Sequence, residues 1–225
     1  MKIQSSSFSN QIIIGPAVAV DTAIFTVNTD KLEVLLVNIK SGPYQDKWAL
    51  PGGLVALDES LDQAATRIVA QKISQDRLHL EQFYSFGNPN RDSRGRSISV
   101  AYIALINDKS KLNLKLTKYY KRSKWFPLDS LPSLAFDHQK IISFARRHLS
   151  SKLDSSNLAK SLLPSKFILS QFQQVYEAIK GKKIDKRNFR KRVLSLGLVK
   201  ATKQKISGQA HRPAQLYVFT SQKNK

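Results

Sequence analysis

Between Pro16 and Lys40 the apolar positions fall into two runs, PAVAVDTAIFTV and LEVLLVNI, separated by Asn28, Thr29 and Asp30. Both runs are rich in β-branched residues, so they predict two strands joined by a turn. SGPYQDKWALPGG, with its glycines and prolines, reads as a loop. Leu61, Ala64, Ala65, Ile68 and Val69 then recur at helical spacing, with Lys72 and Ile73 extending the turn. Asp58 and Ser60 both qualify as the N-cap of that helix. HLEQFYSF and SISVAYIAL predict two more strands, flanking the turn-rich basic loop GNPNRDSRGR. KWFPLDSLPSLAFDH reads as irregular, and Asp137 is placed to cap a helix over HQKIISFARRHLSSKL.

Around residues 150–160 the chain becomes polar, with Ser150, Ser151, Ser155, Ser156 and Asn157. A domain boundary is expected there: 1–150 as one domain, 151–159 as linker, 160–225 as a second. Beyond it the pattern changes. Phe172, Val175, Tyr176 and Ile179 follow helical spacing, Ser170 with Gln173 forms a capping box, and Gly181 ends the helix. A second helix follows over DKRNFRKRVLSLG. Asp185 caps it, Ile184 and Phe189 form a hydrophobic staple, and Gly197 stops it. LVKATKQKIS and AQLYVFT then read as a hairpin around GQAHRP. Helix, short turn, helix and hairpin make a winged helix-turn-helix layout. No internal repeat is visible.

Composition narrows the class. The 225 residues suffice for one or two domains with a real core, and 41% hydrophobic with 24% charged residues describes a globular chain. No apolar run reaches the roughly 18 residues of a membrane span, and MKIQSSSFSNQIII does not read as a secretory signal. The absence of cysteine excludes disulfides and cysteine-zinc sites and fits a cytoplasmic protein. The formal net charge is +21, from 37 Lys and Arg against 16 Asp and Glu. Residues 180–225 alone carry 14 bases and one acid. Such an excess points to a polyanion partner, nucleic acid or an anionic surface, against the plainer alternative of a basic host proteome.

Chemistry concentrates in PGGLVALDESLDQAATRIVAQKIS. Gly53, Glu59 and Arg67 fit the frame G-x5-E-x7-R-E-U-x-E-E-x-G-U without a gap. The stretch resembles the Nudix box, whose glutamates hold a divalent metal beside a diphosphate. Here Ile68 stands at the first of those glutamates, Gln71 and Lys72 at the E-E pair, and Ser74 at the late glycine. A hard cation wants carboxylate oxygens; glutamine is neutral and lysine repels it. No metal site and no catalytic residue are therefore expected. KWALPGG and FGNPNRDSRGRSISVAYIAL look like the subgroup that handles ADP-ribose. The resemblance implies a binding fold stripped of catalysis. Trp48, Gly52, Gly53, Arg67, Arg91, Arg94 and Arg96 are its candidate effector-binding residues, and no cofactor is implied. The plainer alternative is that Arg67 and Glu59 only brace loop to helix around a vestigial pocket. Trp48 is as well suited to a core or lid role, and His138 to a local structural one.

In the second helix Phe189, Val193 and Leu196 form one apolar face. Arg187, Arg190 and Lys191 point away from it, with Lys186 and Arg192 flanking. Such a helix can read guanine edges and phosphates in a major groove. Lys186, Arg187, Arg190 and Lys191, with Lys203, Lys205 and Arg212 of the wing, are the candidate DNA contacts; the alternative is a solvated basic face. DKRNFRKRVLSLGL and AHRPAQLY look like the winged helix of Nudix-related transcriptional regulators, the NrtR family. With the degenerate box, the resemblance covers nearly the whole chain. It implies an α/β fold, a Nudix-like α/β/α sandwich followed by a C-terminal winged helix-turn-helix. It further implies a homodimeric, sequence-specific regulator on a palindromic duplex operator, usually a repressor of NAD-metabolism genes with ADP-ribose or a related nucleotide as effector. Two rivals stand beside it: an active hydrolase of ADP-ribose or another nucleoside diphosphate sugar, and a protein whose basic tail binds RNA or membrane surfaces nonspecifically.

Overall fold

The computed structural model describes residues 15–70, 80–107, 119–154, 157–208 and 211–220. The two leading runs form strands β1 (Ala17–Asn28) and β2 (Lys31–Ile39), an antiparallel hairpin closed at Thr29 with φ 60°. Two short strands follow, β3 (Trp48–Ala49) beside β2 and β4 (Gly52–Leu54) beside β1. Helix α1 (Leu61–Ala70) comes next, then β5 (Leu80–Phe86) and β6 (Ser97–Leu105). β6 runs parallel to β1, and β5 antiparallel to β6.

Strand alternation builds the sandwich. Val20 and Ile24 of β1, with Val100, Tyr102 and Ala104 of β6, share one face, covered by Ala64, Ala65, Ile68 and Val69 of α1. Ala23, Phe25, Ala101, Ile103 and Leu105 take the other face with helix α2 (His138–Lys152), through Ile141, Ile142, Ala145 and Leu149. Each of these large side chains contributes about 1.5–3 kcal/mol relative to exposure.

Some expectations change. The stretch read as irregular begins inside a strand, β7 (Tyr120–Pro127), antiparallel to β2. It is a sheet edge with Lys121, Arg122 and Lys124 exposed, so it lacks the apolar alternation that betrays a strand. Asp137 precedes α2 but makes no side-chain cap bond; its carboxylate is taken by Arg91. Ser60 is the better reading for α1, since Ser60 and Gln63 bond reciprocally at 2.7 and 3.2 Å.

The described residues of the polar stretch near 150–160 are built into the fold. α2 runs to Lys152, Leu153 is fully buried, and a 310 helix spans Asn157–Leu162 with Ala159 buried. Strand β8 (Phe167–Ile168) leads into α3 (Leu169–Lys180), then α4 (Lys186–Ser195), β9 (Val199–Gly208) and β10 (His211–Phe219). The second sheet has the order β8-β10-β9. Because β8 is held on β10, the chain enters α3 at once, and Ser170 lies inside the first turn. Gln171, not Gln173, closes that end by accepting the Ile168 N–H at 3.0 Å. The winged helix has an aromatic core: Phe172 contacts Phe167, Phe189 and Phe219 edge-on, at 5.2–5.9 Å between centroids. One buried apolar cluster joins Leu36 of the first sheet, Leu149 of α2 and Val175 and Ile179 of α3.

Candidate functional site

The glycine turn and α1 are held together by one arginine. Arg67 Nε donates to Glu59 Oε2 at 2.8 Å, and its Nη2 bonds both Glu59 Oε1 and the Leu54 carbonyl. Glu59 Oε1 also accepts the Ala56 N–H at 2.7 Å. The Arg67 hydrogen bonds, then the Ala56 amide, bring the Glu59 carboxyl down to about 2. Gly52 must be glycine: a Cβ there would sit 1.9 Å from Asp21 Oδ1. Gly53 lies against Ile68, 3.5 Å from an ideal Cβ.

A Nudix metal does not fit these residues. Glu59 spends both oxygens on Arg67 and Ala56. Ile68 offers no donor and is buried against the sheet. Gln71, Lys72 and Ser74 lie outside the described residues, and neither an amide nor an ammonium supplies the missing carboxylates.

Below the turn lies a buried polar network, of which sequence reading singled out Arg91, Asp137 and His138 in other roles and missed Asp21, Ser97 and Ser99. Asp21 Oδ2 accepts Ser99 Oγ–H at 2.6 Å and faces Arg91 Nη2 at 3.4 Å and His138 Nε2 at 3.5 Å. His138 Nδ1 accepts the Leu50 N–H at 2.8 Å, so its ring proton rides on the nitrogen facing Asp21. Arg91 Nη2 also donates to Asp137 Oδ1 at 2.8 Å, and its Nη1 to Ser97 Oγ at 3.1 Å. Burial pushes the Asp21 carboxyl up, but His138, Ser99 and Arg91 outweigh it and leave it lowered. The one flag in the sequence was an acid inside the apolar run PAVAVDTAIF, on the face that alternation buries.

The candidate effector residues thus divide. Arg91 is only 3% exposed at its side chain and is committed inward. Arg67 is taken up by the brace. Arg94 stays half exposed, paired with Asp92 at 2.8 Å and 5.0 Å over the Phe136 ring. Arg96 donates to the Gly87 carbonyl at 2.8 Å. Trp48 is half-buried, edge-on to Phe126 at 4.7 Å with Arg122 5.3 Å from its ring. Two phenols join these loops. Tyr44 Oη accepts the Ser93 N–H at 2.8 Å, and Tyr120 donates to the Gly52 carbonyl at 3.1 Å. Burial first of all pushes Tyr120 up to about 12, so it remains a donor. The turn at 50–53, the loop 87–96 and the start of α2 therefore form one hydrogen-bonded rim.

The second candidate surface is α4. Asp185 caps it through Oδ1, accepting the N–H groups of Arg187 and Asn188 at 3.0 Å each. Phe189 and Val193 are buried. Leu196, expected on the same face, is 47% exposed because it lies past the helix end, next to Gly197. Lys186, Arg187, Arg190 and Lys191 are exposed together, and Lys203 and Lys205 are exposed on β9. The side chains of His211 and Arg212 lie outside the described residues. Arg192 is set apart, paired with Asp154 at 2.7 Å. A cavity of about 410 Å³ opens on that flank, lined by Lys180, Lys182, Lys183, Asn188 and Arg192, with Tyr176 and Ile184.

Comparison with known proteins accounts for both halves. Residues 17–145 match the NUDIX domain family, and residues 159–219 the NrtR DNA-binding winged helix domain. The chain is 40% identical over 212 residues to the ADPR responsive transcriptional repressor NtrR of Acinetobacter baylyi, covering 92% of this chain and 83% of that one. Its fold is similar to the crystal structure of Shewanella oneidensis NrtR complexed with a 27mer DNA. The TM-score is 0.75 at 35% identity, covering 90% of this chain and 93% of that chain. The cocrystal structure of the NUDIX domain of Shewanella oneidensis NrtR with ADP ribose is also similar. There the TM-score is 0.56 at 34% identity, covering 64% of this chain and 94% of that chain.

Proposed function

Because the chain belongs to the NrtR family of Nudix-related transcriptional regulators, we propose that it is an ADP-ribose-responsive transcriptional repressor of NAD-metabolism genes. In this reading it acts in the cytoplasm as a homodimer on a palindromic operator, and it is not an enzyme. Residues 151–159 are the joint between its sensing and DNA-binding halves. One observation carries the reading. A Nudix fold whose metal-ligand positions hold Ile68, Gln71 and Lys72 is joined to a helix presenting Lys186, Arg187, Arg190 and Lys191 to solvent.

A diphosphate can be held without metal by backbone N–H groups and arginines. Arg94 and Arg96 are the available guanidinium groups, since Arg67 and Arg91 serve as braces. Glutamates at positions 68, 71 and 72 would repel that anion; their loss favours binding over turnover. ADP-ribose and operator must weaken one another by the same factor, and a coupling of about 1–3 kcal/mol gives roughly 5–150-fold release.

Calorimetry with ADP-ribose, with and without operator duplex, tests the sensor. The expected result is binding to free protein and weaker binding to the DNA complex. Undetectable binding at millimolar ligand overturns it. A turnover assay with Mg²⁺ and ADP-ribose tests the rest: hydrolysis at ordinary enzyme rates, on the order of 1 s⁻¹ or more, would restore the hydrolase reading.

A further inference from the structure

Helix α2 touches both surfaces. Its first residue, His138, accepts the Leu50 N–H at 2.8 Å, and Asp137 before it holds Arg91 of the loop 87–96 at 2.8 Å. That end belongs to the rim where the ligand is placed. Roughly 22 Å away, at about 1.5 Å per residue, the other end meets the winged helix. Ser150 accepts Lys180 Nζ–H through its carbonyl at 2.8 Å. Asp154, just past the helix, accepts Tyr176 Oη–H of α3 at 2.8 Å and Arg192 of α4 through both oxygens, at 3.1 and 2.7 Å.

The approach of α2 to α3 is close as well as polar. Arg146 of α2 lays its guanidinium over Gly181, at φ 68°, and its Nε donates to the Ile179 carbonyl at 3.4 Å. Leu149 and Leu153 are fully buried in the cluster that also holds Val175 and Ile179. A helix this well packed moves as one body. Among the described residues Lys180 Nζ also lies 3.6 Å from Asp154, whereas Lys183 to Asp30, at 3.6 Å, joins side chains 74% and 49% exposed and is screened by water. Asp154 is 25% exposed and grips both helices of the helix-turn-helix.

We infer that Asp154 is the positioning residue that sets the angle of the DNA-reading helix, and that α2 carries the state of the nucleotide pocket to it. Arg192 is thereby an internal handle on α4, while Arg187, Arg190 and Lys191 read DNA. A shift of Leu50 or Arg91 on ligand binding displaces the start of α2 and, through Asp154, the bearing of α4. In a dimer this changes the distance between the two DNA-reading helices.

The inference rests on the regulator reading above, so the test has one arm that needs no ligand. Full-length protein, Asp154→Asn and Asp154→Ala are compared. Asp154→Asn keeps the shape and an acceptor for Tyr176 but loses the charge that holds Arg192. In the ligand-free arm, operators with half-sites moved by one or two base pairs are titrated. Wild type discriminates between them, and both variants bind them more evenly. In the second arm, the ratio of operator affinities without and with ADP-ribose is measured. The wild-type ratio, expected within roughly 5–150-fold, falls toward one in the variants. Their affinity for ADP-ribose alone stays within about twofold of wild type, because the pocket lies at the far end of α2. In an Arg192→Ala background, Asp154→Asn has a smaller effect on both readouts than in wild type, because Tyr176 keeps its acceptor and the charge lost no longer has Arg192 to hold. Wild-type spacing discrimination in Asp154→Ala overturns the inference. A wild-type protein whose operator affinity ignores ADP-ribose overturns the sensor reading instead, and the spacing arm still judges Asp154.

Discussion

Glu59 and Arg67 retain the spacing of a catalytic box and put it to structural use. Each oxygen of Glu59 has a donor, and the pair ties the loop at 54–56 to α1. The consequence is a pH dependence with a definite sign. The Glu59 carboxyl titrates near 2 in the fold against an ordinary 4.5. Its contribution to stability is present in full above the ordinary value and is lost as pH falls through about 2. Carbon-detected NMR titration of the Glu59 carboxyl should give that low midpoint, and Glu59→Gln should remove this part of the acid sensitivity. A midpoint near 4.5 would mean the brace does not form in solution. Asp21 behaves in the same direction for a different reason, since it is buried and lowered only because its partners outweigh burial.

Among the elements, α4 and the β9–β10 hairpin are the surfaces proposed to divide the work of binding DNA. The α4 side chains stand on a rigid helix capped by Asp185 and seated through Phe189 and Val193, so their positions are set well enough to read base edges. Lys203 and Lys205 stand on exposed strand and suit phosphate contact. Arg187→Ala or Arg190→Ala should cost about 1–3 kcal/mol on operator and relax specificity at one base pair. Lys203→Ala or Lys205→Ala should weaken all duplexes alike and reduce the salt slope by about one. Fluorescence anisotropy on operator and random duplex across a salt series separates the two. Equal losses on both duplexes for both classes of variant would remove the distinction.

At the scale of the whole molecule the two halves share one core. The apolar cluster passes from Phe25 and Leu36 through Leu149 and Leu153 to Val175 and Phe189, and Asp154 adds a polar grip at its surface. The halves should therefore unfold together. Scanning calorimetry should show a single transition whose midpoint rises with ADP-ribose, as ligand binding to the native state requires. Two transitions, with only one responding to nucleotide, would mean independent halves. The net charge of +21 weighs on binding more than on folding and should make association with DNA fast and strongly salt-dependent.

Periodicity and turn chemistry are local, and they determined most elements by themselves. The β1–β2 hairpin, α1, β5, β6, α2, both helices of the helix-turn-helix and the Asp185 cap were all legible in the sequence. The residue types at the box's metal-ligand positions are likewise read directly, because a ligand set is a matter of residue type at fixed spacing. Edge strand β7 was not legible, since Lys121, Arg122 and Lys124 interrupt its apolar pattern and only pairing with β2 makes it a strand. Nor were the partners of the charged groups. Arg91 looked like an exposed phosphate ligand in a basic loop, yet the fold turns it onto Asp21 and Asp137. Asp154 looked like linker, yet the fold sets it between α3 and α4. Both lie across long sequence separations from their partners, 70 residues from Asp21 to Arg91 and 38 from Asp154 to Arg192. Local sequence states which groups are charged. Only tertiary packing decides which of them leave water and must find an opposite charge there, because the cost of burying an ion depends on everything the chain brings around it.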